Sequence, residues 1–391
     1  MTCAPREIAR NRAEFRSDMM VVRKDADGRR RYFRADSDKR EEYSYQRPFI
    51  LELEITRRCN LQCVHCYAES ENKTFENELT FDEITEILTS ARNIGIPELS
   101  LTGGEVMMRP DFLRIIDAGF RHGFDVRFVT NVTLLNDGLF TELTRRPIKL
   151  ITVSLDAMNS DTHEAIRGKS SHTPAIDGIL RLKAAGFHLS IITAFSKLNI
   201  SDFDDLYEFC KKHDIPWQVQ LTSAKGRCGK DITLSPEEYY NLGEKVAKIM
   251  TSSSNTITII PMDDLATFSH FPPLNRLSQT WQGMCTGGLL NLFVRANGDV
   301  TPCSALCFDK CIVGNIRTDS LETICREERC KTALSPFSAE SRTGACRACP
   351  YLDACNGGCP EILLSMSRTS TENDYCYHKI EQDRILKALY P

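Results

Sequence analysis

From residue 49 onward the chain alternates between two hydrophobic periods. Short, nearly continuous apolar runs predict strands at 49–55, 98–102, 125–130, 149–155, 187–194 and 217–221. Between them, apolar residues recur at helical spacing near 81–94, 111–122, 136–145, 173–185 and 201–213. The local signals agree with this division. Thr80 stands where an N-cap is needed, with Asp82 and Glu83 in the following turn. Gly95, Gly123 and Gly186 stand where three of the helices should stop. Strand–helix alternation of this kind builds a parallel sheet with right-handed crossovers. The predicted fold class is therefore α/β, and six such units make an open, partial (β/α)6 TIM-like barrel. Chemistry in such folds gathers at the carboxyl ends of the strands.

The flanks read differently. Residues 1–48 are charged and lack helical periodicity, and form an N-terminal extension. Within it, two short runs around Asp27-Gly28 have the pattern of a hairpin with that pair as its turn. Residues 49–250 are the barrel. They include a glycine-containing loop, 223–230, that reads as a wall of the substrate site. They end in a helix near 236–250 begun by Ser235-Pro236. Residues 251–284 read as a linker, with one possible added strand at 256–261. Residues 285–391 are a small cysteine-rich domain.

Composition narrows the class. The chain has 391 residues and is 41% hydrophobic, enough for a sizeable core. Its net charge of −4 gives no nucleic-acid footprint. The N-terminus lacks the apolar core of a signal peptide, and no run of about 18 apolar residues offers a membrane span. The expectation is a cytoplasmic protein with neither nucleic acid nor membrane as partner. Seventeen cysteines in a reducing compartment point to metal ligation rather than disulfides.

The first cysteine group is Cys59-x3-Cys63-x2-Cys66, directly after the first predicted strand. Iron–sulfur cubanes are normally held by four cysteines. Three here leave one iron open to a small molecule. Zinc is the alternative for this triplet alone, because His65 lies between two of the thiols. The spacing resembles the signature of the radical S-adenosylmethionine (SAM) superfamily. The resemblance implies that SAM chelates the open iron and is cleaved to a 5′-deoxyadenosyl radical. It also implies the partial barrel already predicted, and further site residues. Thr102-Gly103-Gly104-Glu105 resembles the motif that holds the SAM amino group, with Val106 in place of the usual proline. Ser154 and Asp156, alternating at the end of strand four, are placed to bond ribose hydroxyls. Arg167, in His163-x3-Arg167-Gly168, is placed to pair with the SAM carboxylate. Asn131 and Thr193 are further polar candidates.

A second field of cysteines follows. Cys285-x12-Gly298-x4-Cys303 precedes Cys346-x2-Cys349-x5-Cys355-x3-Cys359 and then Cys376. This resembles the SPASM domain, and all seven of its motif cysteines are present. Structural zinc is the competing reading of the CxxC pair. The resemblance implies two auxiliary iron–sulfur clusters, three clusters in all, most simply 4Fe–4S. Cys346, Cys349, Cys355 and Cys376 would hold the distal one, and Cys285, Cys303 and Cys359 the proximal one. Its fourth ligand is Cys307, Cys311 or none.

The expected function is thus a radical SAM oxidoreductase that oxidises or crosslinks a ribosomally made peptide through thioether or carbon–carbon bonds. Ser304 stands where sulfatase-maturing members carry aspartate, which argues against that activity. Expected partners are the peptide or small-molecule substrate, an electron donor such as flavodoxin or ferredoxin, and a separate peptide-recognition protein. Side-chain oxidation of a tetrapyrrole or another small molecule is the alternative. A zinc-stabilised, non-catalytic binding protein is the alternative of a different class.

Overall fold

The computed structural model describes residues 48–261 and most of 285–390, together with four short strands between residues 14 and 43 and isolated positions between 262 and 284. The Asp27-Gly28 turn and most of the expected linker lie outside the described residues. The N-terminal strands β1 (Glu14–Arg16), β2 (Met20–Lys24), β3 (Arg30–Arg34) and β4 (Glu42–Tyr43) form an antiparallel sheet in that order. β2 and β3 are the two arms of the expected hairpin.

The main sheet has ten strands. Six follow the predicted order: β5 (Ile50–Thr56), β6 (Glu98–Gly103), β7 (Asp125–Thr130), β8 (Leu150–Ser154), β9 (Leu189–Phe195) and β10 (Trp217–Leu221). Each is parallel to its neighbour in the sheet. The crossovers carry α1 (Phe81–Asn93), α2 (Phe112–Arg121), α3 (Asp137–Thr144), α4 (Ser160–Arg167), α5 (His172–Ala184) and α6 (Phe203–Lys212). α1 begins as its sequence requires. The Thr80 hydroxyl accepts from Glu83 N at 3.2 Å, and the Glu83 carboxylate accepts from Thr80 N at 2.7 Å. The crossover after β8 departs from expectation by carrying two helices. α4 was legible only as a motif; Asn159 caps it, accepting from Thr162 N. Leu51, Leu53 and Ile55 of β5 are fully buried, and the core continues through Leu99, Leu101, Val126, Phe128, Ile151, Val153 and Trp217.

The sheet extends past both ends of the six-stranded unit. β11 (Ile259–Pro261) adds to β10, so the stretch read as linker supplies a strand. At the other edge, β12 (Asn291–Val294) runs parallel to β5 and begins an antiparallel meander with β13 (Asp299–Thr301) and β14 (Gly314–Asn315). The cysteine-rich segment therefore grows directly from the barrel. Ala296 at its first turn donates to the buried Glu54 carboxylate at 2.9 Å and accepts from Leu79 N at 2.7 Å. Arg317 reaches back to Glu83 at the start of α1.

The remaining helices are α7 (Pro236–Thr251) at the end of the barrel, the short α8 (Leu321–Arg326), α9 (Arg329–Leu334), α10 (Gly344–Arg347), α11 (Leu352–Cys355) and α12 (Pro360–Ser365), and the longer α13 (Tyr377–Leu389). The last docks on α7. The Tyr377 hydroxyl donates to Tyr239 O at 3.1 Å, and Tyr375 donates to Leu234 O at 2.9 Å. Among the described residues no helix is long and apolar enough to cross a membrane.

Gly243 of α7 lies directly under the Tyr377 hydroxyl, and a Cβ there would overlap the ring. Alanine favours a helix over glycine by about 1 kcal/mol. Overpacking typically costs about 1–3 kcal/mol, so the clash prevails. Gly243→Ala is expected to lower the melting temperature, and an unchanged or raised value would mean that α13 does not dock on α7 as described.

Candidate active site and cluster loops

β5 ends at Thr56, and the next residues turn across the carboxyl end of the sheet. Two glycines hold this turn. Gly104 N donates to Thr56 O and Glu105 N to Arg58 O, both at 2.8 Å. A Cβ on Gly103 would run into Thr56 O, and one on Gly104 into Arg58 O. The glycines therefore let strand two approach the chain entering the cysteine loop, a use beyond the ligand approach read from sequence. Glu105 is fully buried, and burial raises its pKa. Its carboxylate accepts from the Thr130 hydroxyl, from Asn131 N and from Met107 N at 2.7, 2.7 and 3.1 Å. It thus braces β6 against β7.

Cys59, Cys63 and Cys66 pack around Leu61, the first two nearly buried. Burial pushes the Cys59 thiol up to about 12. A negatively charged sulfur is costly here without a cation beside it, and a bound iron would supply that charge. Cys59 Sγ accepts from Leu61 N at 3.4 Å, and the Asn131 amide lies 3.9 Å away. Cys63 Sγ lies 3.8 Å from Arg167 O. These residues fit a cluster held by three thiolates.

Asp156 is the hub of the opposite wall. It is fully buried. Its Oδ2 takes His65 Nε2 at 2.7 Å and stands 2.6 Å from Arg167 Nε, while Oδ1 accepts from Ala194 N at 3.0 Å. Burial alone would raise its pKa; Arg167 and His65 overcome that and hold the carboxyl well below its usual range. The role read from sequence, a ribose acceptor, thus changes. Both Asp156 oxygens are engaged within the protein, and the residue orients His65 and Arg167. His65 is a hydrogen-bonding neighbour of the cysteines. Ser154 is half-buried, and its hydroxyl has no side-chain partner among the described residues. Arg167 is buried, and its guanidinium meets Asp156 through Nε. His163 touches Asp156 N at 3.4 Å. Burial, then Arg167, lowers its pKa to about 3, so the ring stays neutral. Asn131 and Thr193 are spent within the protein: Asn131 Nδ2 donates to Asn60 at 3.0 Å, and Thr193 donates to Leu155 O at 2.7 Å.

A clamp on the cysteine loop escaped the sequence reading. In the loop after β10, Arg227 Nε donates to Cys63 O at 3.0 Å and its Nη1 to Ser70 O at 2.8 Å. Arg227 N donates to Cys66 O at 3.1 Å. Gly226, with φ +59°, lies flat on Cys66 and Tyr67, and a Cβ there would come within 2.5 Å of Cys66 O. The loop is more than a wall: it ties down two of the three cysteines. No motif signals this, because the contact joins positions over 150 residues apart.

The second field of cysteines lies in two places. Cys346, Cys349, Cys355 and Cys376 line one cavity of about 250 Å³, with Tyr375, Tyr377 and Asn373 in its wall. Asn373 N donates to Cys346 Sγ at 3.5 Å. Four thiols around one cavity fit a fully ligated cluster. Cys285 lies beside the turn at Pro302-Cys303, where Gly288 N donates to Pro302 O at 2.8 Å. α12, which follows Cys359, packs on the helical turn Ser304–Leu306 that follows Cys303. Of the two extra thiols, Cys311 is buried, and a negative charge on it would add to the burial that raises the Cys285 pKa. Cys307 instead donates to Ser304 O at 2.7 Å and faces Lys225 and Glu54.

Comparison with known proteins agrees with this geometry. Residues 53–210 match the radical SAM superfamily, and residues 285–350 match the SPASM iron–sulfur cluster-binding domain. The chain is a radical SAM enzyme carrying a SPASM domain, and so uses SAM, a 4Fe–4S cluster and additional iron–sulfur clusters. It is 27% identical over 343 residues to the AdoMet-dependent heme synthase of Methanosarcina barkeri, covering 85% of this chain and 97% of that one. It is also 27% identical over 324 residues to the mycofactocin maturase MftC of Mycobacterium tuberculosis, covering 80% and 78%. In fold it is similar to Streptococcus suis SuiB bound to precursor peptide SuiA, with TM-score 0.68 and 19% identity over 84% of this chain and 75% of that one. The zinc-stabilised binding protein is set aside.

Asp156→Asn is expected to destabilise the fold by about 3–5 kcal/mol, because it strips a buried guanidinium of its counter-charge. The folded-state pKa of Asp156 is depressed, so its contribution is complete above the ordinary carboxylate range and is lost only as pH falls through the lower folded value. Chemical denaturation of both proteins at neutral pH checks this; equal stability would mean that Asp156 does not neutralise Arg167.

Proposed function

We propose that this enzyme oxidises or crosslinks a side chain of a ribosomally made peptide at the carboxyl face of its barrel. The observation that carries the reading is the cysteine loop itself, three packed thiols pinned to strand two by Gly103–Glu105 and to the β10 loop by Arg227. Cys59, Cys63 and Cys66 are the ligands of the cluster that binds SAM. That cofactor, when bound and reduced, supplies a 5′-deoxyadenosyl radical able to take hydrogen from an unactivated carbon. The protein's part is to bind, orient and exclude water. The backbone of Gly103–Glu105 receives the SAM amino group, Arg167 its carboxylate and Ser154 a ribose hydroxyl. Asp156 holds Arg167 and His65 in place.

Cys346, Cys349, Cys355 and Cys376 hold the distal auxiliary cluster. Cys285, Cys303 and Cys359 hold the proximal one, and Cys311 completes it, while Cys307 stays a thiol on the barrel side. The likeness to a maturase supports a peptide substrate. The electron donor is a flavodoxin or ferredoxin, and a separate protein presents the peptide. In this reading the barrel spans 49–250, the linker stretch lends it β11, and the SPASM domain follows from 285. The heme synthase of equal identity supports a second reading, oxidation of a tetrapyrrole side chain. Anaerobic incubation with candidate precursor peptides and with tetrapyrroles, followed by mass spectrometry, separates the two: a mass loss confined to the tetrapyrrole would overturn the peptide reading.

Anaerobically reconstituted protein is expected to carry about twelve irons per chain. Cys59→Ala should abolish 5′-deoxyadenosine release under dithionite; continued release would remove the loop from its assigned role. Cys311→Ala should change the electron paramagnetic resonance signal of one auxiliary cluster, and Cys307→Ala should leave it intact. The reverse outcome would exchange the two thiols.

A further inference from the structure

The loop at 224–227 touches both cluster regions. On one side, Gly226 and Arg227 hold the carbonyls of Cys63 and Cys66. On the other, Lys225 Nζ donates to Ala305 O at 2.5 Å, two residues beyond Cys303. The same ammonium sits 4.7 Å from the ring centroid of Tyr67, which follows Cys66, and 5.0 Å from that of Phe308, which follows Cys307. Ala224 N points at the Met366 sulfur, 3.4 Å away, just past α12. One short loop thus delivers two cations to the two cysteine regions. Arg227 faces the loop of Cys59, Cys63 and Cys66. Lys225 faces the turn of Cys303, Cys307 and Cys311, wedged between two aromatic rings.

The wedge is specific. An ammonium between two ring faces with a single carbonyl acceptor is held by cation–π attraction as well as by a hydrogen bond. Its charge is partly screened from water and acts at short range. Reduction adds negative charge to an iron–sulfur cluster, and a nearby fixed cation favours the reduced form.

We propose that Lys225 is a positioning and tuning residue. Its charge raises the reduction potential of the proximal auxiliary cluster, and its two ring contacts hold Tyr67 of the SAM-cluster loop against that cluster's turn. This rests on the assignment of Cys285, Cys303 and Cys359 to the proximal cluster. The contacts of Lys225 with Ala305, Tyr67 and Phe308 involve no residue that lines the distal cavity. Of the two auxiliary clusters, the proximal one therefore takes the larger effect.

The test is a redox titration of the full-length reconstituted protein followed by electron paramagnetic resonance. SAM added to a parallel sample changes the signal of the cluster it binds, and the signals it leaves alone belong to the auxiliary clusters. Lys225→Gln keeps a donor for Ala305 O and loses the charge. It should move one auxiliary midpoint to more negative potential and move the other less. Lys225→Arg keeps the charge and should restore the wild-type value. Should the Gln variant fail to load clusters, Lys225→Met, which keeps the aliphatic stem between the rings, gives the same comparison. An unmoved midpoint in the neutral variants overturns the proposal, as does an equal shift in Lys225→Arg. Wild-type protein that binds no iron and sulfide overturns the functional reading itself, and the tuning role with it. Because the measurement needs no substrate, an error in the peptide assignment leaves it untouched.

Discussion

Three thiols in one loop, two of them buried, are an electrostatic liability, and much of this molecule answers it. A thiolate at the position of Cys59 is disfavoured by burial until a metal centre supplies positive charge. The loop must nevertheless be in place before that centre is complete, so the chain holds it by its backbone. Thr56 O and Arg58 O are taken by Gly104 and Glu105, Cys59 N donates to Glu71 O at 3.1 Å, and Val64 N donates to Ile166 O at 2.8 Å. Arg227 and Gly226 close the far side. None of these contacts uses a sulfur, which leaves the sulfurs for iron.

The same economy appears in the polar wall facing the loop. Asp156 carries a negative charge in full burial because two basic side chains and the backbone N–H of Ala194 surround its carboxylate. A buried ion pair of this kind contributes little net stability, since desolvation offsets most of the attraction. Its value is orientation. Arg167 is held at its Nε by Asp156, which limits the rotamers open to its guanidinium.

The SPASM domain is built on the barrel rather than hung from it. β12 pairs with β5, the strand that leads into the SAM-cluster loop. Ala296 and Arg317 then fasten the meander to Glu54 and to the start of α1. Two cysteine regions distant in sequence thereby share one strand pair as their common footing, and the loop after β10 bridges them again at the opposite edge. Fixed separation between electron-carrying centres follows from this double attachment.

The amino-acid sequence by itself determined the alternation of strands and helices, the caps at Thr80 and Ser235, and the grouping of the cysteines. These are local matters: period, turn chemistry and ligand spacing are written within a few residues of one another. The four thiols of the distal cavity followed from the resemblance to the SPASM domain, since spacing alone does not choose Cys376 over Cys359. Tertiary structure alone decided the rest. Asp156 has both oxygens occupied by partners from 38 to 91 residues away and, for Arg167, from the neighbouring helix. The pairing of β12 with β5 joins segments about 240 residues apart, and Arg227 meets Cys63 across 164. Sheet register and side-chain reach set such contacts, and both exist only once the parallel sheet has brought distant strand ends to one face. Sequence spacing carries no trace of which carbonyl a lone arginine will find there.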